Sequence, residues 1–294
     1  MTIFITGASG FVGSSIKKYL NNLIHYTNYK REEKIVIKED IVLHFAGKAH
    51  DLKKISKSED YYKVNTELTQ KVFNAFLVSD AKVFIVLSSV KAIADKFQGE
   101  LSEDYAPRPI SDYGKSKLLA EQYILSKPIP DGKRVYILRP CIIHGPGNKG
   151  NLNLLYKIVS IGLPWPLGAF ENKRSFCSID NLCFIIKELI ENDQIPSGLY
   201  HIADDDPLST NELIKLILQS QDKQSFIWHI PKFIINIVSK FCDLFRLPFN
   251  TETLNKLTGN YIVSNKKIKK AINKPLPINS KDGLIKTLIS FKNA

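Results

Sequence analysis

The sequence predicts an α/β fold, a doubly wound parallel sheet with helices on both faces, followed by a smaller mixed α/β C-terminal region. Three observations carry this reading. Short β-branched runs alternate with helix-period segments through the first half, the rhythm of βα units. The first run, Thr2–Thr6, passes directly into a glycine turn and then a helix. After Pro140 the rhythm loosens, and Gly145, Pro146, Gly147 and Gly150, then Gly162, Pro164, Pro166 and Gly168, mark loops. The expected division is a nucleotide-binding domain over 1–150 and a mainly substrate-binding region over 151–294, with 174–203 partly returning to the core.

Strands are expected at Thr2–Thr6, Ile41–Phe45, Val83–Ser88, Val135–Arg139 and Gly198–Ala203. Helices are expected at Ser14–Asn21, Asp60–Val78, Asp112–Ser126 and Ser209–Gln219, the last capped by Ser209 or Thr210. Positions 14–40 are a short allowance for everything between the glycine turn and the strand at Ile41, with Leu23–Tyr26 as a second strand and Lys34–Ile37 as a third. Phe226–Phe245 is the most apolar stretch, but His229, Pro231, Lys232, Lys240 and Asp243 interrupt it. It reads as a packed amphipathic helix, with contact to a membrane surface left open. No run reaches the ~20 apolar residues of a bilayer span, so stable membrane insertion is not expected.

With 44% hydrophobic and 24% charged residues over 294 positions, the chain has the composition of a folded protein. Its 41 Lys and Arg against 29 Asp and Glu leave a formal charge of +12, which attracts polyanions or nucleotide phosphates. The Arg/aromatic strips, zinc spacings and helix-turn-helix patterns of nucleic-acid binders are missing, so nucleic acid is not an expected partner. Cys141, Cys177, Cys183 and Cys242 form no CxxC pair, which suggests neither a disulfide framework nor a metal site and fits a reducing cytoplasm. Residues 1–6 run straight into the glycine turn without the charged start and apolar stretch of an export signal.

The turn Gly7-Ala8-Ser9-Gly10-Phe11-Val12-Gly13 carries the first chemistry. Glycines there allow a tight bend, close approach of a pyrophosphate to backbone N–H groups, and tight packing of the following helix on the strand. Gly7, Ser9, Gly10, Phe11, Val12 and Gly13 are therefore candidate dinucleotide ligands in a Rossmann-type domain. Tyr113 and Lys117 lie four apart at the start of an expected helix and so share a face. A phenol titrating near ~10 needs nearby cations to act as a base at neutral pH. Lys117 supplies one, and in the reverse direction Tyr113 gives its proton to an alkoxide. Ser88 and Ser89 end the strand at Val83, at the edge where an open parallel sheet places ligands.

The GxxGxxG spacing of Thr6–Gly13, together with Tyr113-Gly114-Lys115-Ser116-Lys117, resembles the extended short-chain dehydrogenase/reductase group and its NAD-dependent epimerase/dehydratase branch. The resemblance covers nearly the whole chain and is diffuse after about Tyr200. It implies that Ser89, Tyr113 and Lys117 are catalytic, Ser89 fitting the family position better than Ser88, and that Tyr113 and Lys117 also touch the cofactor. Ala46-Gly47-Lys48-Ala49-His50 is similar to the family turn along the cofactor, bringing in Phe45, Ala46 and Gly47. Asn65 resembles a buried helix asparagine that holds the active-site backbone. Arg139-Pro140 with Ile143-His144-Gly145-Pro146-Gly147 is similar to a loop beside the nicotinamide, with His144 in place of the usual tyrosine. A second tyrosine is replaced by Ile93.

On the substrate side, Arg174-Ser175-Phe176 resembles the stretch whose arginine meets a nucleotide-sugar diphosphate. Lys91 and Asn151 join Arg174 as candidate substrate contacts. No acid follows Tyr26, whereas Asn28, Lys30 and Arg31 do. Arg31 is thus a candidate for a 2′-phosphate and NADP(H) is mildly favoured over NAD(H), with Glu32 and Glu33 keeping NAD open. The resemblance implies a UDP-sugar substrate. It points first to reduction of a UDP-4-keto-6-deoxy-N-acetylhexosamine in surface polysaccharide synthesis, on Ser88-Ser89-Val90-Lys91 and Pro166-Leu167-Gly168 leading to Arg174. UDP-hexose 4-epimerisation is the alternative, and a non-catalytic dinucleotide sensor the second. By analogy with the family, the helices at Asp60–Val78 and Asp112–Ser126 are where a homodimer would pair.

Overall fold

The structure is a computed structural model and describes residues 1–20, 25–28, 34–49, 57–148, 150–224, 226–245, 247 and 249–292. The first half runs β1 (Thr2–Thr6), α1 (Phe11–Tyr19), β2 (His25–Asn28), β3 (Ile41–His44), α2 (Ser58–Tyr61), a π-helical stretch (Tyr62–Glu67), α3 (Leu68–Val78), β4 (Val83–Leu87), a 3-10 turn (Val90–Ala92), β5 (Glu100–Leu101), α4 (Asp112–Leu125) and β6 (Arg134–Pro140). The second half runs β7 (Ile142–His144), α5 (Asn151–Ser160), β8 (Phe176–Ser178), α6 (Ile179–Glu191), β9 (Gly198–Ile202), α7 (Thr210–Gln219), α8 (Lys232–Leu244), α9 (Thr251–Thr258), β10 (Ile262–Val263), α10 (Lys266–Ile272) and α11 (Ser280–Lys292).

Six strands pair in parallel in the order β2-β1-β3-β4-β6-β9. The chain leaves β1 toward β2 and returns to the other side of β1 with β3, so the topological switch point lies between β1 and β3. Strands covered on both faces read as apolar runs without alternation, as in VFIVL of β4. Successive side chains still point to opposite faces. Ile3 and Ile5 pack with Ile16 of α1 and Leu182 and Ile186 of α6. Phe4, Val42 and Phe84 pack with Phe73, Phe76 and Ile124 of α3 and α4. A separate core joins α5, α7, α8 and α11 through Tyr156, Ile217, Ile235 and Leu288.

The departures from expectation have local causes. Helix α1 begins at Phe11, because Gly10 ends the turn in an extended conformation and the chain winds at once. The second strand occupies His25–Asn28 rather than Leu23–Tyr26, of which positions 23 and 24 lie outside the described residues. Lys34–Ile37 is not a strand: Ile37 turns inward to Val42 and Phe76 while Val36 is exposed, so the segment runs directly into β3 without adding to the sheet edge. The helix expected over Asp60–Val78 begins at Ser58 and widens into π geometry around Asn65. The stretch Phe226–Phe245 is not a packed helix throughout. Its helix spans only Lys232–Leu244, and of its residues only Ile235, Ser239 and Cys242 are buried.

One hydrogen-bonded chain fastens β1, β3 and the π-helical stretch beneath the switch point. Thr69 Oγ1 donates to the Asn65 carbonyl at 2.7 Å, so it accepts from His44 Nε2 at 2.8 Å. Burial, aided by Lys117, pushes His44 down to about 3, so the ring is neutral and Nδ1 accepts from Thr6 Oγ1 at 2.7 Å. Thr6 Oγ1 in turn accepts from the Ala46 N–H at 3.1 Å. His201 is also fully buried, and burial together with Arg139 pushes it down to about 3.

Both rings therefore hold fewer protons in the folded chain than in the unfolded one below pH 6.5, and stability falls as pH drops from 6.5 toward 3. Chemical denaturation at pH 7 and pH 5 is expected to show a loss of about 2 kcal/mol per imidazole. Equal stabilities at the two pH values would mean that the rings are charged in the fold.

Candidate active site

Gly7 has φ +72°, and a Cβ there would lie 2.6 Å from the Ala46 nitrogen. The left-handed bend thus lets the first turn press against the end of β3. At Gly13 a Cβ would lie 2.2 Å from the Gly7 carbonyl oxygen, so only glycine lets α1 start this close to the strand. The N-terminus of α1 has no side-chain cap and no acid in its first turn, while Ser9 and Gly10 are exposed. Free N–H groups and a positive helix end without a competing carboxylate fit a pyrophosphate. Phe11 and Val12 continue the helix inward, Val12 into the core.

The opposite wall is the turn after β3. Asn65 is fully buried, and its side chain accepts from the Lys48 N–H at 2.8 Å and donates to the Lys48 carbonyl and to Ser116 Oγ, each at 3.0 Å. One amide therefore pins the Phe45–Lys48 backbone to α4, and the π geometry places it there. Gly47 lies against Lys117, where a Cβ would come 3.0 Å from Nζ.

Helix α4 starts on Ser111, whose Oγ accepts from the Gly114 N–H at 3.2 Å and donates to Asp95 at 2.8 Å. Tyr113 emerges half-buried from this first turn, edge-on to Tyr61 with ring centroids 6.4 Å apart. Burial raises its pKa, and a hydrogen bond with the Ser89 side chain works against that rise. Lys117 is buried and donates to the Leu87 carbonyl at 2.8 Å, at the end of β4. Burial pulls its pKa down to about 8 against the opposing pull of Glu121. Ser89, Tyr113 and Lys117 thus converge on one sheet edge.

The two serines part company. Ser88 Oγ donates to Glu121, whose carboxylate also takes Arg139 Nε at 2.9 Å and Nη2 at 2.5 Å. Glu121 and Arg139 are 1% and 4% exposed, so this is an interior ion pair joining α4 to β6, while Ser89 is left for the cleft. Sequence reasoning missed Glu121. Its signal was there: it follows Lys117 by one helical turn on the Tyr113 face.

Arg174 is partly buried with no carboxylate within ion-pair distance among the described residues. Its Nη1 donates to the Lys256 carbonyl, and its buried Nε has no partner. Lys91 does not project from its loop. Its Nζ donates to the Asp95 carbonyl at 2.6 Å, lies 3.8 Å from the Asp95 carboxylate and 5.0 Å from the Tyr261 ring centroid, so Asp95 and Tyr261 draw the ammonium inward. Burial, and then Arg174 and Lys256, disfavour the charge on Lys91, which Asp95 favours, so three cations gather here beside the one carboxylate that pairs with Lys91. Asn151 is exposed at the start of α5. His144 is not a loop residue but the buried end of β7, with Nδ1 2.9 Å from Thr287 Oγ1 and Nε2 3.5 Å from Asp204. Arg31, with Lys30, Glu32, Glu33 and His50, lies outside the described residues.

The geometry combines a helix end open to pyrophosphate with a serine, tyrosine and lysine at a sheet switch point, and comparisons with known proteins place it. The family model described as "NAD dependent epimerase/dehydratase family" matches residues 24–203. The chain belongs to this family. It is accordingly an enzyme with an NAD(P)-dependent fold, which sets aside the non-catalytic sensor. It is 28% identical to a UDP-glucose 4-epimerase of Vibrio cholerae, over 100% of this chain and 96% of that one. It is 26% identical to an N-acetyl-alpha-D-glucosaminyl-diphospho-ditrans,octacis-undecaprenol 4-epimerase of Escherichia coli O157:H7, over 91% of this chain and 84% of the relative. The fold superposes on UDP-glucuronic acid 4-epimerase from Bacillus cereus in complex with NAD with a TM-score of 0.76 at 19% identity, covering 100% and 99% of the two chains.

Two pairs of variants test this architecture. Glu121→Ala leaves the Arg139 charge buried and alone, with an expected cost of about 3–5 kcal/mol, whereas adding Arg139→Met recovers much of it. Additive losses in denaturant titrations would show that the two do not act as a pair. Gly10 has φ −73° and ψ 170°, a backbone that any residue adopts, and a Cβ there would lie 3.2 Å from the Gly7 carbonyl oxygen, which a shift of a few tenths of an ångström relieves, so Gly10→Val is expected to keep the fold and cut cofactor affinity at least about tenfold. Gly13→Ala is expected to lower stability as well, by about 1–3 kcal/mol. Calorimetric cofactor titration beside thermal melting separates the two, and unchanged affinity in Gly10→Val would remove the pyrophosphate from the turn.

Proposed function

We propose that the enzyme works at C4 of a sugar carried on a diphosphate, with a UDP-sugar as the substrate, and that the net reaction is 4-epimerisation. The observation that carries this reading is the convergence of Ser89, Tyr113 and Lys117, with Ser89 near enough to the phenol to favour its ionised form and Lys117 one helical turn further on, held by the Leu87 carbonyl, at the edge where the pyrophosphate turn and the Asn65-held backbone meet.

Bound NAD(P) supplies hydride exchange with the sugar and, when oxidised, a positive charge beside the phenol. The chain supplies the rest. Ser89 holds the C4 oxygen by hydrogen bonding. Tyr113 takes the proton from that oxygen on oxidation and returns it on reduction. Because burial raises the Tyr113 pKa, the phenol stays protonated on its own, and Lys117 favours the ionised form needed for the first step. The fork-shaped Arg174 guanidinium, with an unpartnered Nε and no carboxylate, suits the substrate diphosphate, and Lys91 and Lys256 add positive potential. Asn151, exposed at the start of α5, is the nucleotide-side contact.

Reduction of a 4-keto sugar, which the sequence motifs put first, stands second because both relatives described are named 4-epimerases and both names carry a diphosphate-linked sugar. NADP(H) is the cofactor that Lys30 and Arg31 favour, so both cofactors belong in the assay.

With UDP-glucose or UDP-N-acetylglucosamine, inversion at C4 followed by NMR without net change in nicotinamide absorbance is the expected result. Steady loss of that absorbance with UDP-4-keto sugars, and no inversion, would make the enzyme a reductase. Tyr113→Phe is expected to lower kcat by at least about 100-fold while leaving cofactor affinity within about twofold, since only a hydroxyl is lost. Retained turnover would refute the role of the phenol.

A further inference from the structure

Helix α8 turns its apolar face outward. Its buried residues, Ile235, Ser239 and Cys242, form one narrow stripe. Phe233, Ile234, Ile237, Phe241, Leu244 and Phe245 are instead 40–77% exposed. At 100° per residue these six fall on one arc of roughly 120°, beside the buried stripe. Just before the helix, Trp228 is 56% exposed, on a segment whose backbone is bonded to Trp165. A contiguous apolar surface of this kind on a folded chain marks a contact with something else.

The charges around it say with what. Between Phe226 and Leu247 the sequence carries Lys232, Lys240 and Arg246 and one acid, Asp243. That acid is turned to α9, where it accepts from the Thr251 N–H at 3.0 Å and the Thr251 hydroxyl at 2.5 Å. Lys240 borders the apolar arc one helical turn from Ile237 and Leu244, with no carboxylate within ion-pair distance among the described residues. Aromatic and aliphatic residues on one side with a lysine at the border are the composition of a helix that lies in a headgroup layer. At 13 residues α8 is too short to cross a bilayer, and no helix among the described residues is long and apolar enough to do so. A symmetric contact with a second copy would set Lys240 of one α8 beside that of the other and offer it no acid.

We infer that α8, with Trp228, docks the enzyme on the surface of an anionic phospholipid bilayer. The apolar arc enters the boundary between headgroups and acyl chains, and Lys240 meets the lipid phosphates, while Lys232 lies on the side of the buried stripe with its Nζ 5.9 Å from the Phe170 ring centroid. This goes beyond the C4 chemistry and does not depend on it.

The test is sedimentation of the purified full-length enzyme with vesicles of phosphatidylglycerol and phosphatidylcholine, or of phosphatidylcholine alone. The expected result is binding to the anionic vesicles that falls at least about tenfold on neutral ones or in high salt. Phe233→Ser with Phe241→Ser is expected to lower it at least about tenfold, and Lys240→Gln to lower it on anionic vesicles only. Unchanged circular dichroism and cofactor affinity certify that these variants are folded. Three results would overturn the inference: no vesicle binding by the native enzyme, equal binding by the Phe233/Phe241 variant, or a dimer in ultracentrifugation that this variant dissolves and that does not bind vesicles.

Discussion

The site depends on a buried ion pair. Glu121 and Arg139 lie in the interior, and neither charge would be tolerable there alone. Together they tie the middle of α4 to β6, and Ser88 brings the end of β4 to the same carboxylate. Three elements are thus set in register directly below the reactive groups, and Lys117 adds a second link from α4 to the end of β4 through the Leu87 carbonyl. Ser89 follows Ser88 just past the end of β4, and Lys117 and Tyr113 precede Glu121 by one and two helical turns. The placement of a neutral phenol beside a serine hydroxyl is a consequence of where a charge pair is held one layer down. The same carboxylate opposes the loss of charge on Lys117, so the pair also influences the electrostatics of the group that assists the phenol.

A second fixed point does for the cofactor side what the ion pair does for the substrate side. The Thr6–His44–Thr69 chain joins three elements under the crevice, and its last acceptor is the backbone of Asn65. The side chain of Asn65 then holds Lys48 and Ser116. Every proton in this run has one direction only, because each hydroxyl has a single hydrogen and the ring is neutral. Such a network has one satisfied arrangement, which preorganises the backbone that lines the cofactor. The pH dependence of stability and the geometry of the site therefore share an origin in a neutral buried histidine.

Much of this was legible in the sequence where local chemistry decides the outcome. Thr2–Thr6 forms the strand expected of it, and the glycine turn is forced by contacts that only glycine admits. The spacing of Tyr113 and Lys117 sets them on one face whatever surrounds the helix. Partners across long sequence separations were not legible. Nothing in the order of residues says that Ser88 would go to Glu121 and leave Ser89 to Tyr113, or that Lys91 would turn inward to Asp95, since these depend on which strand neighbours which. The missing third strand is a similar case. Lys34–Ile37 has β-branched residues enough, but Ile37 gains more by closing the core over Val42 and Phe76 than by extending an edge.

The inverted α8 shows the limit of periodicity most sharply. The apolar face of an amphipathic helix is expected to face the core, and the hydrophobic pattern of Lys232–Leu244 gives no sign of doing otherwise. What separates a core-facing helix from an outward-facing one is the supply of apolar surface on the neighbouring elements. Here α5, α7 and α11 already enclose their core with Tyr156, Ile217 and Leu288, and α8 contributes Ile235 as an edge to it. The remaining aromatic residues have no apolar surface left to cover. A helix with that much unsatisfied surface would be a liability in water, unless its bordering lysine and its short length fit it to a charged layer outside the protein.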